Sequence, residues 1–72
     1  MEVGDRIVVR ERRHPYYKCT GKIIGKRGAR SAVPGDMWLW VFIDMPNKPC
    51  MIPQSMVNLE KDGLKSDEED MN

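Results

Sequence analysis

Residues 37–44, MWLWVFID, decide how the rest of the chain is read. With a strand's period of two, Met37, Leu39, Val41 and Ile43 point to one side. Trp38, Trp40 and Phe42 point to the other, and they too are apolar. A strand with one wet face alternates apolar and polar residues, and this one does not. In one register the aliphatic set forms the core and the aromatic set faces outward. In the other the aromatics are inside. The period alone leaves both open.

Working outward from this strand, VGDRIVVR opens on a Gly-Asp turn signal and continues as a β-branched strand with Ile7 and Val9 on one face. ERRHPYYK breaks the pattern with charge and Pro15 and reads as a loop. CTGKIIGKRG has a β-rich centre bounded by glycines, and ARSAVPGD is a second loop with a Pro34-Gly35 turn signal. DMPNKP has the chemistry of a tight connection, and CMI reads as a short strand that stops at Pro53. PQSMVNL is too short for a stable helix and predicts a single helical turn followed by a last strand. Nothing repeats.

About five short strands in so small a chain hide their edges best by curling into a barrel. The expectation is an all-β fold: one small barrel over residues 1–60, with a core of Val3, Ile7, Val9, Ile23, Leu39, Val41, Ile43, Ile52, Met56 and Leu59. Residues 61–72 form an acidic stretch with one aliphatic residue, Leu64, and are expected to be a disordered tail.

Seventy-two residues allow one domain, and 40% hydrophobic content allows one modest core. No run approaches the ~20 apolar residues of a membrane span, and MEVGDR has no signal-peptide stretch, so a soluble, cytoplasmic chain is expected. The net charge of +1 conceals a split. Residues 1–30 carry nine basic and three acidic side chains, and residues 31–72 carry three basic and eight acidic. That polarity points to an anionic partner for the first half.

Two cysteines and one histidine do not make a zinc site, and reduced, partly buried thiols are expected for Cys19 and Cys50. There is no Walker-type glycine loop and no serine–histidine–acid arrangement. The expectation is a chain without catalytic residues, cofactor, bound metal or small-molecule substrate.

VGDRIVV, YYKCTGKIIG, WVFID and IPQSMVNL together resemble the SH3-like barrels that carry a KOW-type motif. Gly21 and Ile23 stand where that motif has its glycine and its aliphatic residue, and IPQSMVNL resembles the closing strand, one-turn helix and strand. HPYYKCTGKIIGKRGA is similar to a ribosomal-protein family of archaea and eukaryotes built on this barrel. The opening Val-Gly-Asp-Arg is also shared with the variable chain of ferredoxin–thioredoxin reductase, a scaffold role on the same fold. The resemblance spans residues 3–59 and implies a binding module of the kind found in ribosomal proteins and elongation factors. The near-neutral charge departs from ribosomal members, which are basic throughout.

Two sets of candidate residues follow. For nucleic acid or a nucleoprotein machine, Arg10, Arg12, Arg13, Lys18, Lys22, Lys26, Arg27 and Arg30 offer phosphates charge-assisted donors. His14, Tyr16 and Tyr17 offer rings to unpaired bases beside them. For a protein partner, an adaptor or small regulatory subunit would dock through Trp38, Trp40, Phe42 and Met51. The competing account of the aromatics is a cover made of Arg and Lys stems, a loop or Met51.

Overall fold

In a computed structural model of the chain, residues 1–64 are described. Five antiparallel strands form one sheet in the order β4-β3-β2-β1-β5. They are β1 (Arg6–Val9), β2 (Thr20–Ala29), β3 (Met37–Ile43), β4 (Lys48–Pro53) and β5 (Val57–Leu59). The helical content among the described residues is two 3-10 turns, Gln54–Met56 between β4 and β5, and Glu60–Asp62 after β5.

The register of β3 is the aliphatic one. Leu39, Val41 and Ile43 are fully buried and join Ile7 and Val9 of β1, Ile23 of β2, Ile52 of β4 and Val57 of β5 in one cluster. All five strands thus contribute to a single apolar face. Each fully buried aliphatic side chain on that face contributes about 1.5–3 kcal/mol.

Gly21 makes one close approach possible. A Cβ at this position would lie 2.7 Å from the Phe42 carbonyl oxygen and 2.9 Å from Val41 Cγ1, so β2 and β3 meet here at a distance only glycine allows. Farther along, β2 carries register shifts against β3 between Ile23 and Gly25 and between Lys26 and Gly28. These bulges bend a ten-residue strand so that its first part pairs with β1 and most of its length with β3.

Three core expectations need correction. Val3 is 61% exposed, because residues 2–5 form a turn with Gly4 at φ 99° and Val3 stands at its outer side. Met56 and Leu59 are half-buried and pack against the cluster from its margin. Val57 takes the inward place instead of Met56, since the 3-10 turn changes the phase of the side chains that follow it, and Leu59 shares its side at the strand's end. Val8 is also buried, so β1 does not keep a wet face at its centre.

Edge strand β4 carries Pro49 and Pro53, paired with Phe42 and Trp38. Chain order continues through the second 3-10 turn, where Asn58 Nδ2 donates to the Gly63 carbonyl at 3.1 Å. The tail expectation covers residues 61–72; Lys61 and Asp62 instead belong to the second 3-10 turn, and residues 65–72 fall outside the described residues.

Candidate nucleic-acid interface

The outward face of β3 has a definite cover. Trp38, Trp40 and Phe42 are half-buried, alternating with the fully buried aliphatics. The Arg27 guanidinium lies over the Trp40 ring, 5.3 Å from its centroid, and that of Arg30 lies over Trp38 at 5.6 Å. Both distances are within the range of cation–π attraction. Arg27 reaches its ring because it is the extra residue of the second β2 bulge. Gly25 pairs with Trp40, whose Cβ and Cδ1 lie 3.6 and 4.0 Å from where a Gly25 Cβ would be, an ordinary packing distance.

On the other side of β3, Phe42 faces Pro49, Trp40 faces Met51 and Trp38 faces Pro53. Directly paired residues share a face, so an apolar strip runs across β3 and β4. Lys22 borders it through its pairing with Phe42. Lys22 and Arg27 of β2 therefore lie on one surface with the aromatic candidates of β3, whereas Lys26 pairs with Leu39 and is engaged by Glu2.

Arg30 is held in place by Asp36, an acid the sequence reading passed over. Asp36 is 8% exposed and accepts four hydrogen bonds. Its Oδ1 takes the Met37 N–H at 2.8 Å and the Ser55 N–H at 3.0 Å. Its Oδ2 takes the Ser55 hydroxyl at 2.6 Å and Arg30 Nη1 at 3.3 Å. The Ser55 hydroxyl, with the backbone N–H donors of Met37 and Ser55 and with Arg30, holds its carboxyl below the usual range, against the opposing effect of burial. One carboxylate thus fastens the β2–β3 loop to the first 3-10 turn and orients the cation over Trp38.

The first loop reaches that same turn from its other side. Arg10 donates through its guanidinium to the Ser55 carbonyl and through its N–H to the Met56 carbonyl. Arg10 and Arg30, distant in sequence, therefore meet around Ser55. Arg12 and Arg13 are exposed. Arg13 and His14 line an open groove of about 310 Å³ with Glu11, Pro15 and Met56.

The tyrosines sit apart from the tryptophan face. Tyr16 packs against the core, with His14 5.8 Å from its ring and Lys48 5.6 Å from its centroid. The Tyr16 phenolic oxygen holds the Lys48 ammonium above its usual pKa. Lys18 lies over Tyr17 at 5.6 Å. His14 Nδ1 accepts the Tyr16 N–H, so this nitrogen is committed to the loop.

Among the described residues, ion pairs engage Lys26 with Glu2, Arg30 with Asp36, and Arg6 with Asp44 and Glu60. Arg10, Arg12, Arg13, Lys18, Lys22 and Arg27 are in none of them. Arg6 is directly opposite Lys22, and its two carboxylates remove the like-charge conflict while leaving the Lys22 charge unmatched. Asp44 also accepts from the Thr20 hydroxyl at 2.7 Å. Arg6, and then Thr20, pull its pKa down to about 2.

Cys19 and Cys50 are free thiols, half-buried against the core, and burial raises the pKa of Cys50. Among the described residues no group of three or more His, Cys, Asp or Glu is placed to hold a metal, and no helix is long and apolar enough to cross a membrane. No family model, curated protein or solved structure matches the chain.

Proposed function

We propose that the chain is a non-catalytic binding module, an SH3-like barrel with a KOW-type motif, that engages RNA, DNA or a nucleoprotein machine such as a ribosome or RNA polymerase. The observation that carries this reading is the cation–aromatic face of β2 and β3: Arg27 over Trp40 with Lys22 beside it, both in no ion pair among the described residues. Such a surface combines phosphate-seeking charge with rings that tolerate any base. The strand order, the 3-10 turn between β4 and β5 and the close packing at Gly21 support the barrel reading. A cytoplasmic site of action goes with such a partner.

Fluorescence anisotropy with labelled RNA and DNA at low and moderate salt tests the proposal. Micromolar or tighter binding that weakens steeply with salt is expected. Absence of binding to either at low salt overturns it.

The apolar continuity of Phe42–Pro49, Trp40–Met51 and Trp38–Pro53 favours a second reading, a protein adaptor or regulatory subunit docking through the same strip. Under it, Lys22→Glu and Arg27→Glu leave partner affinity nearly unchanged, whereas Met51→Asp abolishes it.

A further inference from the structure

We infer that this face takes single-stranded nucleic acid with its bases unstacked, one seated against Trp38 and the next against Trp40. The inference rests on the nucleic-acid reading above and adds which form of nucleic acid fits.

Spacing carries the argument. Trp38 and Trp40 stand two residues apart on one face of β3, so their attachment points are ~6.7 Å apart along the strand. Bases stacked along a helical strand repeat every ~3.4 Å. The two rings are set at about twice that repeat. A duplex cannot present adjacent bases to both, because its bases are stacked on each other and turned toward their pairing partners. A single strand drawn open presents each base separately, and every base has a π-face to stack with.

Each ring has a planar cation beside it, Arg30 at Trp38 and Arg27 at Trp40. Bases stack on guanidinium planes as they do on aromatic rings, so each Trp–Arg pair makes one seat. The two arginines differ in charge balance. Arg27 is in no ion pair among the described residues, so its charge is available to a phosphate. Arg30 is offset by Asp36 and serves mainly as a fixed plane.

The test uses the full chain with an oligouridylate of about ten nucleotides and an RNA hairpin of equal length, at about 50 and about 200 mM salt. Emission from Trp38 and Trp40, the chain's two tryptophans, is followed during titration. Saturable quenching by the single strand is expected, with the hairpin stem bound ~10-fold more weakly. Arg27→Gln should reduce the slope of log affinity against log salt by ~0.7, while Arg30→Gln weakens binding and leaves the slope unchanged. Trp40→Leu should weaken binding ~10-fold at unchanged slope.

Equal affinity for strand and hairpin, or binding that leaves tryptophan emission untouched, overturns the inference while sparing the broader reading. Binding of neither RNA at low salt overturns both. If Trp40→Leu fails to fold by circular dichroism, the quenching of the unaltered protein and the Arg27 slope still decide.

Discussion

On the inward side of β3, Leu39, Val41 and Ile43 have no exposed surface, and their neighbours are aliphatic side chains from the other four strands. On its outward side, Trp38, Trp40 and Phe42 keep part of their surface, and their neighbours are two guanidiniums, a lysine and two prolines. Both sets are apolar, yet only one is sealed. Hydrophobicity tells where burial is favourable, and the chemistry of the covering groups tells whether the burial is permanent. Aliphatic neighbours close the inner face for good. Cations over the outer rings cover them and leave part of their surface open.

Four outcomes break or sharpen this contrast. The largest is Leu39→Ala, which should cost ~2–5 kcal/mol in urea denaturation, a large part of the stability of so small a domain. Next comes Asp36→Ala, which strips the Ser55 and Met37 donors of their acceptor and frees Arg30. A fall in Tm of roughly 10 °C is expected, with Trp38 becoming more accessible to iodide.

Trp40→Ala should cost only about 1–2 kcal/mol, since its ring is half-buried. A cost greater than that of Leu39→Ala would reverse the assignment of the two faces. Smallest is Asp44→Asn, expected to lower Tm by less than ~3 °C and to lose that effect in about 1 M salt, because its pairs with Arg6 and Thr20 are exposed.

The pH dependence follows from the same carboxyl. Held at about 2 in the folded chain, Asp44 contributes fully above the unfolded carboxylate range near ~4, and the contribution fades as pH falls from there toward ~2. Acid titrations of the parent and of Asp44→Asn should therefore converge near the lower end of that window.

The strands and most of the inner face are legible in the sequence because period-two alternation and glycine or proline punctuation are local signals. The misplacement of Val3 and the omission of Val57 have a local cause too: a Gly-Asp turn and a 3-10 turn each change the side-chain phase within a few residues. A cover of Arg or Lys stems over the tryptophans is one of the sequence's alternatives, but its geometry is not legible. It depends on two bulges in β2, which show in GKIIGKRG only as glycines and say nothing about which arginine meets which ring. Asp36 is hidden for a different reason. In PGD it reads as a turn acid, and its chief partner, Ser55, is nineteen residues away across the sheet. The eleven residues chosen for nucleic acid were chosen by charge and ring type alone. The structure puts Lys22, Arg27 and Arg30 at the β2–β3 face, Arg10 at Ser55, Tyr16 near Lys48 and Tyr17 under Lys18.

An apolar strip that ends on an edge strand would ordinarily invite a second chain to add its own strand there and start a fibre. In β4, however, the strip's outermost positions are Pro49 and Pro53, on either side of Met51. Neither proline has an N–H to offer, so a strand approaching that edge finds two rungs of the ladder missing. The same two residues that extend the greasy surface also keep it from polymerising.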